Sequence, residues 1–407
     1  MNQFFESQKV FEFHPKLLNK NESYQKEIIM KKFIFFVLLL TGLLLMCTSS
    51  DQTYKIEKVD GVKHIHNFAP NWGSEPKVLL ESVQKIGELE TDDDNFILYR
   101  PKDVVVDNYG NIYILDGGSF RVQKYTATGE YMATFGRKGQ GPGEFGIPTR
   151  MDIVENKFIY IHDAGNSRVH RYSTKGEFLD GFSAENFPTQ ATWYLRHFST
   201  GEFLTNSFAY FEKPDAPKLL NIYSNTGKIL KKIGESINLN DLPINAQMNK
   251  NLADIDKDDF IYASFMHLNR IDKYSQDGRL IFSTDRPLNY EVIEKPGYKK
   301  AGSHRKVDLI PDVVFVARTV SIDSKDRIWI MTANENYQIL ERSENPDELM
   351  PHIFDFHIFN TDGIFLGSVP VPKHGKEFRH RIFGSRLFLF DIWQGECMYE
   401  YRIMEKE

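Results

Sequence analysis

The chain is poor in cysteine: Cys47 and Cys397 are the two among 407 residues. Two thiols exclude a disulfide framework and a cysteine-rich structural zinc site. Charge of one sign is lacking as well. The 50 Lys and Arg stand against 56 Asp and Glu, spread along the chain, which leaves no basic footprint for nucleic acid. The apolar run 33–46, broken by Thr41 and Gly42, is shorter than the roughly 20 residues a membrane-spanning helix needs. Compact catalytic motifs are also missing. There is no His-Glu-x-x-His and no Gly-x-Ser-x-Gly, and Gly139, Gly141 and Gly143 lead into no Gly-Lys-Ser/Thr and no helix start. These glycines read as left-handed turn positions rather than a phosphate loop. Aromatics, by contrast, are plentiful: 32 Phe and 19 Tyr suit an all-β protein, whose pleated surfaces pack such side chains well.

The first fifty residues read as targeting, not fold. Met30-Lys31-Lys32 precedes the apolar run, and Cys47 follows it ahead of Thr48-Ser49-Ser50-Asp51. A short basic start, an apolar core and a cleavage region make a secretory signal. A cysteine directly after the core resembles the lipobox of bacterial lipoproteins, which implies lipidation at Cys47 and a membrane anchor. Met46 departs from that motif, whose usual residue there is Gly, Ala or Ser; the other readings are an uncleaved anchor and an ordinary signal peptide. The expected organisation is therefore an extension over 1–29 with translation starting at Met30, a signal over 30–47, a tether and lead-in over 48–75, and one domain over 76–407.

That domain is repetitive. The clearest copy runs Pro101-Lys102-Asp103-Val104-Val105-Val106-Asp107, then Gly110-Asn111-Ile112-Tyr113-Ile114-Leu115-Asp116, then Arg121-Val122-Gln123-Lys124-Tyr125, with a turn at Thr128-Gly129 before a strand ending at Gly136. Four short strands separated by turn residues make a meander of hairpins. Further copies begin near 158, 200, 256, 322 and 385, and the last stops after its third strand. Ser82 to Gly87 has the look of a fourth strand. A ring closed by strands from both chain ends explains the offset, because closure removes open sheet edges. The expected fold is an all-β, six-bladed β-propeller of four-stranded antiparallel blades, closed by an N-terminal strand in the last blade. A β-sandwich would not repeat a four-strand unit, and no linker divides the chain in two.

The order Asp-x-x-Gly-Asn-Ile-Tyr, Arg-Val-x-Lys-Tyr and Phe-Gly over 107–136 resembles the NHL repeat. With the signal region, the whole chain is similar to the six-bladed propeller lipoproteins of Gram-negative bacteria. That resemblance implies fold and a cell-envelope location, with attachment to the outer membrane; propellers serve binding, scaffolding and catalysis alike. NHL-type lyases and related hydrolases carry histidine and metal ligands around the central channel, which makes His162, His267 and His304 candidates here, with calcium or zinc as the metal.

The loop between strands two and three and the loop between blades share one face, the usual ligand surface. Asp116 and Asp163, with Arg121 and Arg168, recur from blade to blade and read as loop caps paired with their own arginines. Lys102, Arg150, Arg318 and Arg379 fall near the starts of innermost strands, where they gather cationic charge at the channel mouth. One reading is recognition of an anionic group or sugar, with Trp193 and Trp393 as stacking surfaces; the other is salt bridging to Asp103, Asp152 and Glu377. The inserts 285–312 and 333–352 are long enough to be functional. Cys397 reads as a free thiol. The expected function is an exported, lipid-anchored, monomeric binding module for a peptide, glycan or protein partner, without cofactor or nucleic acid. The alternatives are a metal-dependent lyase or hydrolase in the channel and an envelope scaffold without a small ligand.

Overall fold

A computed structural model describes residues 52–88, 91–183, 192–207, 218–300, 309–335, 337–338, 353–372, 378–391 and 396–406. The region from Thr53 to Glu407 forms one compact unit. It contains six four-stranded antiparallel blades. Blade 1 is Pro101–Val106, Ile112–Asp116, Arg121–Tyr125 and Tyr131–Phe135; blade 2 is Pro148–Val154, Phe158–Asp163, Arg168–Ser173 and Phe178–Phe182. Blade 3 opens with Arg196–His197 and ends with Ile229–Glu235, and blade 4 runs from Asn251–Ile255 to Leu280–Thr284. Blade 5 runs from Ala317–Ile322 to Phe365–Pro370. Blade 6 takes Phe378–Phe383, Arg386–Asp391 and Met398–Glu405 from the end of the chain.

The fourth strand of blade 6 is Val78–Ile86, paired from Val78 opposite Glu405 to Ile86 opposite Met398. The two ends of the domain are thus hydrogen-bonded in one sheet. The register slips between Ser82 and Gln84, a bulge that leaves Val83 out of the ladder. Within the lead-in stretch, Tyr54–Val59 and Val62–Asn67 form a hairpin, and the second of these runs parallel to Leu280–Thr284. Blade 4 is thereby widened to a six-stranded sheet.

The repeated aspartates hold the turns between first and second strands. Asp107 accepts the backbone N–H of Tyr109 and Asn111, at 2.9 Å each, and the Tyr113 hydroxyl at 3.0 Å. Asp256 does the same for Asp258, Phe260 and the Tyr262 hydroxyl. Asp323 holds Lys325, Arg327 and the Trp329 indole. Three residues after each aspartate the backbone is left-handed: Gly110 at φ 83°, Asp259 at 61° and Asp326 at 58°. Glycine, or an aspartate that tolerates this region, meets that requirement, which is why the copies diverge there yet fold alike.

The core is divided among the gaps between neighbouring blades. Val105 and Tyr113 of blade 1, for instance, pack with Met151, Ile159 and Phe145 at blade 2. Tyr113, Tyr262 and Trp329 are fully buried, and their polar tips meet the turn aspartates, so large aromatic rings enter the core without orphaned hydrogen-bonding groups. Truncating Trp329 to alanine removes an indole from such a gap, a loss of about 3–5 kcal/mol.

Candidate functional site

First strands line the axis of the ring, and every blade contributes to the lining of one small cavity there: Asp103, Arg150, Arg196, Leu252, Thr319 and Arg379 mark blades 1 to 6. The cavity holds about 20 Å³, room for about one water. The axis is therefore plugged by side chains, among them Asp103 and four arginines.

The strand register sorts these charges by depth. Counting ladder pairs inward from the loop face, Asp103 (opposite Leu115), Arg150 (opposite His162) and Arg379 (opposite Phe390) all belong to the second pair. Asp152 and Arg381 belong to the fourth, two pairs deeper. Alternation along a strand points residues two apart to the same side, so Arg379 and Arg381 both face the axis. In blades 1, 2 and 5 a bulge precedes the second pair, skipping Lys102, Thr149 and Arg318. Such bulges re-aim side chains at a sheet end.

The deeper layer is neutralised. Arg381 donates to Asp103 Oδ1 and to Asp152 Oδ1, both at 3.1 Å. Arg196 Nε donates to Asp254 Oδ1 at 2.8 Å. The same carboxylates stitch blades together: Asp103 accepts the N–H of Met151 at 3.1 Å, and Asp152 that of His197 at 2.8 Å. Burial works against the charge of Arg381, but Asp103 and Asp152 outweigh it and its pKa is raised. Burial likewise opposes ionisation of Asp152, yet the His197 hydrogen bond and Arg381 bring its carboxyl down to about 2.

The two arginines level with Asp103 form no ion pair of their own among the described residues. Arg150 Nε and Arg379 Nη1 both donate to the carbonyl oxygen of Trp193, at 2.7 and 2.8 Å. Arg150 also donates to the Lys102 carbonyl at 3.5 Å and to that of Thr149. Both guanidiniums are buried, and among the described residues neither has a carboxylate within ion-pair distance. Burial, reinforced by Arg196 and Arg381, pushes Arg150 down to about 10 in spite of Asp103. For Arg379 burial and then Arg150 drive the pKa well below the usual arginine range. Two buried like charges that share one neutral acceptor hold a positive potential at the mouth.

The sequence-predicted residues divide accordingly. Arg150, Arg379 and Trp193 come together. The Trp193 indole lies 5.8 Å from Lys250 Nζ, and its buried Nε1 has no partner among the described residues. Lys102 packs its stem on Gly117, where any Cβ would collide with it. Arg318 stands over the rings of Phe315 and Phe354, at 5.0 and 5.2 Å. His267 is bonded through Nδ1 to the Val314 carbonyl at 3.0 Å, and burial lowers its pKa to about 4. His162 shares Nδ1 with Thr149 (2.6 Å) and Thr192 (3.0 Å), and burial brings it to about 3. Cys47, His304 and Trp393 lie outside the described residues. Asp116 pairs with Arg121 at 3.1 Å and takes the Tyr99 N–H. Asp163 takes the N–H groups of Gly146 and Ile147 and meets His170 rather than Arg168. These aspartates fasten inter-blade loops.

Arg196, Arg381 and Asp254 were not legible as site residues. Arg196 opens a two-residue strand too short to show alternation. Arg381 carried a signal, its spacing of two from Arg379. Among the described residues no group of three or more His, Cys, Asp or Glu is placed to hold a metal ion. The axial carboxylates Asp103 and Asp152 are held by Arg381 and sit among guanidiniums, so this lining does not fit a divalent cation.

Comparison with known proteins agrees with the architecture. A family described as DUF5128, a 6-bladed beta-propeller, matches residues 61–284. No curated protein matches the chain. A member of the DUF4221 family from Bacteroides vulgatus ATCC 8482 is similar in structure, with TM-score 0.54 and 9% identity, over 81% of this chain and 99% of that one. A candidate exported protein from Bacteroides fragilis NCTC 9343 gives 0.53 and 10%, over 84% and 99%. Virginiamycin B lyase from Staphylococcus aureus reaches only 0.45 at 10% identity, over 80% and 100%, and that likeness says nothing about activity.

Proposed function

The chain belongs to the DUF5128 family of six-bladed β-propellers, and from that premise we propose that it is a binding module whose loop face takes the anionic group of a peptide, glycan or protein partner. One observation carries the reading: Arg150 and Arg379, both buried, converge on the Trp193 carbonyl with no carboxylate within ion-pair distance among the described residues, Asp103 at their level being bonded to Arg381. A buried charge without a counter-ion is costly, and an incoming carboxylate would supply the missing partner. The cavity of about 20 Å³ admits little more than one small group, so the body of the ligand rests on the loop face with its carboxylate at the mouth. A channel metal of the lyase or hydrolase kind would meet guanidiniums there, which argues for binding over that chemistry.

We place the protein in the cell envelope as a monomer, exported by the segment 30–46 and anchored through lipid on Cys47, and we read its blades as NHL-like repeats. The Asp-centred turns at 107, 256 and 323 support the repeat reading. Incorporation of labelled palmitate, abolished by Cys47→Ser, tests the anchor; labelling of that variant at the wild-type level would refute it.

Calorimetric titration with a triglutamate peptide and with digalacturonate, each beside its neutral amide or methyl ester, tests the site. Saturable binding of an acidic probe, weakened at least tenfold by Arg150→Met with Arg379→Met, is the expected result. Equal binding of acidic and neutral probes, or no binding of either acid, would overturn the reading.

A further inference from the structure

Residues 285–295 of the long insert border a second, open cleft, apart from the axial cavity. Val292 and Lys295 of the insert, Ile237 and Leu239 after blade 3, Leu268 of blade 4 and Ile65 of the N-terminal hairpin line a pocket of about 480 Å³. That is within the roughly 300–1,000 Å³ of small-molecule sites and far from the size of the axial cavity.

The polar side chains that blade 4 and its flank place in the wall are engaged, while Glu294, Lys295 and His64 complete the lining, the first two at the exposed rim. Arg270 makes two bonds to Asp272, at 2.9 and 2.7 Å. Asn269 is tied to both the N–H and the carbonyl of Arg286, at 3.1 and 2.8 Å. Asp285 takes His66 Nδ1 at 2.7 Å and the Asn67 N–H at 2.9 Å. The other His66 nitrogen faces Glu57 at 3.2 Å. The charges of Arg270, Asp285 and His66 are spent within the protein, and Glu294 and Lys295 at the rim are of opposite sign, so the interior of the wall offers an arriving ligand mainly aliphatic surface. The same bonds fix the wall itself, because His66, Asn67 and Asp285 clamp the hairpin to blade 4, beside the three-pair parallel ladder from Lys63 to Ile65.

We propose that this pocket binds a neutral, largely apolar small molecule, independently of the anion site. Burial of such a ligand against five aliphatic side chains would supply the driving force, at about 25 cal/mol per Å² of apolar surface removed from water. The probe is N-phenyl-1-naphthylamine, uncharged at neutral pH, titrated into the whole protein and followed by fluorescence. The expected result is saturable one-to-one binding with enhanced emission, weakened at least tenfold by Leu239→Trp, which fills the cleft. Val292→Trp serves in its place should Leu239→Trp fail to show a native melting transition. Absence of saturable binding to the wild type, or a folded tryptophan variant that binds the probe unchanged, would overturn the proposal.

Discussion

Two layers of arginine share one axis yet do different work. Arg381, two ladder pairs deeper than Arg379, is locked between Asp103 and Asp152, and those carboxylates also bond to the backbones of neighbouring blades. Arg150 and Arg379, nearer the loop face, meet backbone carbonyls alone among the described residues and share that of Trp193. The inner arginine belongs to the fold, since its partners are blade-to-blade fasteners. The outer pair burdens the fold, because two like charges are buried together with no ion-pair partner of their own among the described residues. Like charges buried together at the ligand-facing end of a scaffold are most simply explained by what they bind.

Breaking the inner layer gives the largest expected effect. Arg381→Met strands two buried carboxylates and costs about 3–5 kcal/mol, read as a lower denaturant midpoint with unchanged slope. An effect within about 0.5 kcal/mol, the scale of an exposed pair, would erase the difference between the layers.

Acid sharpens the contrast with a smaller effect. The Asp152 carboxyl is depressed to about 2, so its contribution is present above the unfolded value of about 3.9 and is lost as pH falls through the folded one. About 2 kcal/mol of stability should disappear between pH 5 and pH 2 on this account alone. Denaturant midpoints of the wild type against Arg381→Met across that window check it: the variant, having already lost the principal charge partner, should show the flatter profile. Parallel profiles would mean that the pair does not hold the carboxylate down.

Much of the scaffold was legible because repetition multiplies weak signals. One copy of Asp-x-x-Gly-Asn-Ile-Tyr is a turn; its return at 256 and 323 is an architecture, even where Asp259 and Asp326 replace Gly110. The truncated last copy and the stray strand near 82–87 pointed to closure, and the observed pairing of Val78–Ile86 supplies it. The hairpin 54–67 was not legible, since its parallel docking on blade 4 depends on the side chains of Asn67 and Asp285, 218 residues apart. At the site, cationic residues at strand starts were visible, whereas depth was not. Of the carboxylates expected to bridge the outer residues, Asp103 and Asp152 meet Arg381 and Glu377 lies outside the described residues, and Trp193, expected as a stacking surface, contributes its carbonyl. Register and bulges decide which arginine meets which carboxylate, and neither is encoded locally.

The most direct measurement is the unfolding free energy of the ligand-free protein carrying Arg150→Met and Arg379→Met together. If the outer pair is kept for a ligand, the variant is as stable as the wild type or up to about 2 kcal/mol more stable, as when buried charges give way to apolar side chains. A loss of 3 kcal/mol or more, of the size expected for Arg381→Met, would show that both layers serve the fold and would contradict the account.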